Sequence, residues 1–421
     1  MNESMPGITT AKRKNSSFGL VRRCRLLHNE YAAFRDNVVK FFRESVLPRT
    51  RILLDPMAGT VPLIPEIERA GVSAYFNDIL PVHLYINPAK TYAIFLKIAK
   101  IQERDSTFLE RELSRCLIKL RGRRLVISEK WIHDDVLDGL LFAWRKTDTY
   151  EEDLSRFFKA VILMCVRSYS CFFTSETNAT WKKPGGMSSE KNLRDVVRSC
   201  LNRVFLYHHT VYPDNAHILG GRCIFLSEDA ARLALDTNID TIFTSPPYAN
   251  RYDYKRMYAP ELYFLSMAEA NYRSINDTEL LATNAVCNYT SFESDFAYLS
   301  QFKKIKGFLI NIAAKARQKE NQYYLRCFTR YYADLYRVVD NLLKLLSKPG
   351  RIYLVVQTNI HRGEMNEVQD YLSEYLSAKG CRVTIPHPYR ELVQHQGRRN
   401  ISAFHPIVIK KHYETIIEAQ K

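Results

Sequence analysis

The 421-residue chain has no apolar run approaching the roughly 20 residues that a bilayer-spanning helix needs. Its most apolar stretch, Ala160 to Val166, is bracketed by Lys159 and Arg167 and reads as a core helix. No apolar segment follows the basic N-terminus, so a secretory signal is not expected. The nine cysteines include no CxxC pair. This argues against a disulfide framework and a zinc site, and a reducing, cytoplasmic compartment is expected. His208, His209 and His217 have no Cys or carboxylate at ligand spacing, so no metal is expected either. Gly/Ser linkers, low-complexity tracts and repeats are absent. The glycines fit no GxGxxG pattern and no GK[ST] occurs, which disfavours a phosphate-binding loop.

The chain is rich in positive charge. Lys and Arg number 61 against 45 Asp and Glu, a net charge of +16. Such an excess speaks about partners, not fold. Nucleic acid is the first candidate and an acidic membrane surface the second. At 46% hydrophobic residues the chain can bury a sizeable core.

Residues 1–17 form a polar arm with Lys12, Arg13 and Lys14, expected to be flexible. Strand-like and helix-like segments then alternate. Arg51 to Asp55 is a short apolar run ending in an acid, Pro62 to Ala70 a short helix closed by Gly71, and Ser73 to Asp78 a second strand. Residues 90–221 read as a helical insertion that includes helices around Asp134–Trp144 and Phe157–Val166, with Trp181 to Gly186 as a loop. Strands resume at Arg222–Leu226 and Ile239–Thr244. A helix-rich stretch covers about 259–330 and runs on to Leu346, and Lys348–Gly350 is a turn before a strand at Ile352–Val356. A helix from Glu364 to Ala378, a strand around Val383 and a last strand at Ser402–Ile409 complete the chain. The expected fold is a doubly wound α/β sheet, with residues 18–89 and 222–421 as its two parts and residues 90–221 inserted between them. Ligands of such sheets lie beyond the carboxyl ends of the strands.

Four features fall at those ends. Thr244-Ser-Pro-Pro-Tyr248 follows an apolar strand. Its prolines fix the backbone and carry no N–H, so they bring carbonyl acceptors and no competing donor. Ser245 adds an oxygen and Tyr248 a flat face, a combination suited to a planar base bearing an amino group. The plain alternative is a rigid loop. Leu54-Asp-Pro-Met-Ala-Gly-Thr60 lies between the first strand and its helix, where Gly59 permits close backbone approach and Asp55 can accept from a ligand ammonium. The plain alternative is an ordinary βα turn. Asp78 ends the second strand, where an acid can accept from ribose hydroxyls. Asp229 follows the third strand and can accept from an adenine amino group. Acids at strand ends are common, so these last two carry weight only with the others.

Together these residues resemble the DNA amino-methyltransferases, the group that includes cytosine-N4 and adenine-N6 enzymes. Asp55-Pro56-Met57-Ala58-Gly59-Thr60 is similar to that family's DPFxGxG cofactor loop, and Ser245-Pro246-Pro247-Tyr248 matches its [SDN]PP[YFW] catalytic motif. The resemblance implies a Rossmann-like methyltransferase sheet and S-adenosyl-L-methionine as cofactor. Asp55 to Thr60, Asp78, Asp229 and His28 would hold that cofactor, and Ser245 to Tyr248 would carry the catalysis. It implies double-stranded DNA as partner, with the target base flipped out, and leaves open a restriction or defence-system partner. Serine before PPY favours cytosine N4 over adenine N6. An RNA amino-methyltransferase and a non-catalytic nucleic-acid-binding relic are the alternatives. Methylation at carbon 5 needs a cysteine nucleophile, usually after proline, and no Pro-Cys occurs. The chain departs from the family pattern in Met57, where phenylalanine is usual, and in Val61, where a third glycine is expected, close to the cofactor. The insertion carries Arg121, Arg123, Arg124, Lys182 and Lys183, and is expected to cover the cofactor cleft and contact DNA.

Overall fold

A computed structural model describes residues 34–421, apart from 106, 118–130, 133, 171, 175–179, 183–192, 213–216, 250–252, 276–279, 282–288, 316–317, 362–363, 387–389 and 393–412. Helix α1 (Asp36–Phe41) continues through a π-turn and a 3-10 turn to Arg49 and leads into β1 (Ile52–Asp55). Helix α2 (Ile64–Ala70) has Pro65 in its first turn, where a missing N–H costs nothing. It stops at Gly71, whose left-handed φ of 68° lets Val72 N–H reach back to the Ile67 carbonyl. Strand β2 (Ser73–Asn77) follows.

The helical segment that starts after β2 and runs on through residues 90–221, called the insertion below, supplies α3 (Val82–Ile86), α4 (Tyr92–Arg104), α5 (Phe108–Leu117), α6 (Asp134–Thr147) and α7 (Glu152–Tyr169). The short hairpin of β3 (Phe172–Thr174) and β4 (Thr180–Lys182) and helix α8 (Leu193–Val211) end it. Next come β5 (Cys223–Leu226), β6 (Ile239–Thr244), α9 (Tyr254–Met257), α10 (Ala259–Ala268), α11 (Phe292–Leu299), α12 (Lys303–Lys315) and the 28-residue α13 (Gln318–Leu345). The chain closes with β7 (Leu346–Gln357), the hairpin of β8 (Asn359–His361) and β9 (Glu364–Asn366), α14 (Val368–Ala378), β10 (Arg382–Thr384), β11 (Arg390–Leu392) and β12 (Tyr413–Gln420).

The sheet runs β10–β12–β7–β6–β1–β2–β5, with β11 also paired to β12. From β5 to β7 all neighbours are parallel, while β12 is antiparallel to both β7 and β10. The chain winds outward from β1 through β2 to β5, then returns to place β6 on the other side of β1. This reversal opens a crevice at the carboxyl ends of β1 and β6, the place where doubly wound sheets bind ligands.

Alternate residues of the central strands feed two separate cores. Leu53, Phe243, Tyr353, Val355 and Ile416 face α1 and α2; Leu54, Ile242, Ile352, Leu354 and Ile417 face α11 to α14. This period-2 alternation with both faces apolar is what burial under helices on each side requires.

The insertion has a third core, centred on α7, where every residue from Ala160 to Val166 is buried. Residues of α9 and α10, from the chain after β6, share this core through Met257, Leu262, Phe264 and Leu265. Buried Arg167 on α7 fixes the join, pairing with Glu261 on α10 and donating to the Met257 carbonyl (2.7 Å). Among the described residues no helix is long and apolar enough to cross a membrane.

Three local expectations need revision. Trp181 and Lys182, expected as the start of a loop, belong to the strand Thr180–Lys182, which pairs antiparallel with Phe172–Thr174. Glu364–Asn366 is also extended, being paired with β8, and the following helix starts only at Val368. The Lys348–Gly350 turn lies inside β7 as an irregularity, since Ile239 pairs with Leu346 and Thr241 with Arg351. The strand expected at 402–409 lies outside the described residues.

Candidate active site

Two loops leave the sheet at the crevice. The first follows β1. Ala58 N–H donates to the Asn77 carbonyl (2.8 Å), and Gly59 N–H donates to one oxygen of Asp78 (2.9 Å). The other Asp78 oxygen accepts from Leu80 N–H (2.8 Å), so this carboxylate ties the loop to the start of the insertion. Each oxygen keeps a second lone pair for a ligand.

Wholly buried Asn77 joins three loops. Its amide donates to the carbonyls of Pro56 (3.0 Å) and Glu228 (2.9 Å), and its oxygen accepts from Glu228 N–H (2.9 Å). The insertion adds two further anchors. Asn87 donates to the Gly59 carbonyl (2.8 Å), and the buried ammonium of Lys90 donates to the Thr60 carbonyl (2.8 Å).

Gly59 and Val61 both have left-handed backbone, at φ 52° and 42°. A Cβ on Gly59 would meet nothing within 4 Å, so this residue borders open space into which a ligand can settle. Val61 adopts a conformation rare for a β-branched residue, one that glycine would adopt freely. Its side chain is fully buried in the core with Leu53, Leu63 and Phe243. The bulk added at the expected third glycine therefore fills the core. Met57 is half-buried and packs at the edge of the opposite core.

Asp55 is 2% exposed at the end of β1. Burial pushes its carboxyl up to about 7, against the lowering influence of Thr244 and of Met57 N–H at 3.3 Å; nearby Asp78 adds to the rise. The Thr244 hydroxyl acts on Asp55 by proximity and reaches no partner at normal hydrogen-bond geometry. Because Thr244 immediately precedes Ser245, this contact places the end of the first loop's strand beside the second loop.

The second loop follows β6. Pro246 is buried, while Ser245, Pro247 and Tyr248 are half-buried. Two donors fix it from the α13 side: Tyr331 Oη donates to the Pro247 carbonyl (2.8 Å), and Asn359 Nδ2 to the Ala249 carbonyl (3.3 Å). Among the described residues, no protein hydrogen bond engages the Ser245 hydroxyl or the Pro246 carbonyl.

Asp229, after β5, accepts from Ala231 N–H (2.9 Å) and faces the exposed guanidinium of Arg232 at 3.7 Å. His28 lies outside the described residues, as do Arg121, Arg123, Arg124 and Lys183. His208 is buried with Nε2 against the Ala89 carbonyl (2.7 Å), and burial holds its pKa down to about 4. No group of three or more metal-ligating side chains occurs among the described residues.

Sequence reasoning missed Asn77, Asn87, Lys90, Tyr331 and Asn359. A polar residue closing an otherwise apolar strand is a signal for Asn77. The others act on backbone carbonyls far away in sequence, and no local pattern marks them.

The mostly parallel sheet with its crevice between β1 and β6 is a Rossmann-like methyltransferase fold. No family model matches the chain. It is similar to the Type II methyltransferase M.BsoBI of Geobacillus stearothermophilus, 24% identical over 381 residues that cover 80% of this chain and 74% of that protein.

Proposed function

We propose that this chain transfers a methyl group from S-adenosylmethionine to the exocyclic amino group of a base in DNA, with cytosine N4 as the acceptor. The observation that carries the reading is the juxtaposition at the crevice: an acceptor loop, Ser245–Tyr248, set beside the Asp55–Thr60 loop. The likeness to a Type II methyltransferase supports DNA as substrate, and the net charge of +16 suits a polyanion.

The residues of the first loop fit the cofactor. Gly59 borders open space, the Asp55 carboxyl suits an ammonium group, and Asp78 and Asp229 keep acceptor capacity for hydroxyl and amino groups. When bound, S-adenosylmethionine supplies an electrophilic methyl carbon on a sulfonium. The chain's own contribution lies in orientation. Tyr248 offers a stacking face to a base flipped from the duplex. The Ser245 hydroxyl and Pro246 carbonyl accept from its amino group, which directs the nitrogen lone pair and disperses developing positive charge.

Purified protein should transfer tritium from labelled cofactor to duplex DNA and not to total RNA. Digested product should contain N4-methylcytosine by mass spectrometry. N6-methyladenine alone would overturn the choice of base, and label in RNA alone the choice of substrate. Ser245→Ala and Tyr248→Ala should each lose transfer by orders of magnitude while binding cofactor normally. Near-normal turnover in both would remove the catalytic assignment.

A further inference from the structure

We propose that Tyr331 is a positioning residue for the Ser245–Tyr248 loop, holding one proline carbonyl so that the other is presented to the target amino group. The inference rests on the function proposed above and deepens it.

Pro246 and Pro247 have no N–H, so the loop cannot secure itself through its own donors there. It has to be held by donors arriving at its carbonyls. Tyr331 is such a donor, and its hydroxyl proton is committed to the Pro247 carbonyl at 2.8 Å. Ser245 and Pro246 both precede proline, which restricts them to extended backbone. In the polyproline conformation this favours, successive carbonyls point about a third of a turn apart. Fixing the Pro247 carbonyl toward α13 therefore fixes the Pro246 carbonyl in another direction. That carbonyl and the Ser245 hydroxyl accept no hydrogen bond from the described residues.

Tyr331 is itself immobilised. On α13 it is 4% exposed, with the ring of Tyr332 edge-on at 5.0 Å. Burial, with Tyr248 close by, keeps its phenol protonated well beyond the ordinary range, so the donor persists at any working pH. Tyr332 provides an internal control. It is a neighbouring, fully buried tyrosine of the same helix whose hydroxyl also donates, but to Asn366 and not to the catalytic loop.

The test compares Tyr331→Phe with Tyr332→Phe, each of which removes one buried hydroxyl and keeps the ring. In the tritium-transfer assay on duplex DNA, Tyr331→Phe should lower kcat on the order of tenfold to a hundredfold, as a displaced acceptor would. Its KM for DNA and its cofactor Kd should stay within about twofold, the sign of a change confined to the reacting geometry. Tyr332→Phe should lower the unfolding temperature at least as much while leaving kcat near wild type. A Tyr331→Phe enzyme with wild-type kcat overturns the assignment, as does an equal kcat loss in Tyr332→Phe. Wild-type protein that labels no nucleic acid overturns the proposed function, and this inference with it.

Discussion

The two loops at the crevice are held by opposite strategies. The Asp55–Thr60 loop is held by the side chains of Asn77, Asp78, Asn87 and Lys90, drawn from both the sheet and the insertion. The Ser245–Tyr248 loop has two prolines, and side-chain donors meet the carbonyls at its end: Tyr331 at Pro247 and Asn359 at the following residue, Ala249. Covalent restriction of φ by proline replaces a set of hydrogen bonds. On the function proposed above, the difference matches what each loop would have to present. The first loop would offer the Asp55 carboxyl and the open side of Gly59 to a large polar ligand, and its own N–H groups at Met57, Ala58, Gly59 and Val61 are spent on fixing its peptide planes. The second offers acceptors, and a proline carbonyl is already free of a competing donor on its own residue.

The comparison is tested most severely at Asn77 and Asn359. Asn77→Ala abandons the carbonyls of Pro56 and Glu228 and the Glu228 N–H in a fully buried place. Several unsatisfied buried groups at once should cost about 3–4 kcal/mol of stability. Asn359→Ala removes one long, half-buried contact and should cost under about 1 kcal/mol. Urea unfolding of the two variants measures both. Equal losses would show that the two loops depend on side-chain support alike.

A smaller effect concerns charge in the first loop. Burial holds the Asp55 carboxyl at about 7, far above its unfolded value of 3.8. Below pH 7 the folded protein keeps a proton there that the unfolded chain releases above pH 4. The protonated form thus adds stability at low pH, and that contribution is lost as pH rises through 7. Cofactor binding has the opposite preference, because an ammonium ligand needs the carboxylate. Affinity for S-adenosylmethionine should therefore rise about tenfold from pH 6 to pH 8, with proton release on binding. Calorimetry in buffers of different ionisation enthalpy reads both quantities. Asp55→Asn should flatten the profile, and a flat wild-type profile would mean that Asp55 does not meet the cofactor's charge.

Much of the sheet was legible because its strands are buried on both faces. The expected bounds match Ile239–Thr244 to the residue and β1, β2 and β5 to within one, and β10 falls around Val383 as expected, but the strand Tyr413–Gln420 has no counterpart among the expected elements. An apolar run ended by an acid or a turn residue leaves few other readings. The short hairpins β3–β4 and β8–β9 escaped, since three residues are too few for alternation to show. The insertion of β12 between β7 and β10 is a pairing between distant segments and has no local mark. Within the candidate site, the residues proposed to meet a ligand are visible as motifs, whereas those that hold the motifs in shape are not. Asn87 lies 28 residues from its partner Gly59, and Tyr331 lies 84 from Pro247. Only the fold brings them together.

The smallest expected effect separates the loop's shape from its side chains. Val61 sits at φ 42°, where a β-branched residue is strained by roughly 1–2 kcal/mol. It tolerates this because its isopropyl group is fully buried with Leu53, Leu63 and Phe243, burial that contributes about 1.5–3 kcal/mol. Val61→Gly relieves the strain but forfeits the packing and makes the unfolded chain more flexible. The net should be destabilisation of about 1 kcal/mol, seen as a modest fall in Tm. Cofactor affinity should stay within about threefold, because glycine already suits the same backbone and the lost side chain points into the core. A large gain in affinity would show that the valine obstructs the ligand. A loss beyond tenfold would show that the core contact, and not the four anchoring side chains, sets the loop's shape. Either result would break the contrast between a loop held by hydrogen bonds and a loop held by its prolines.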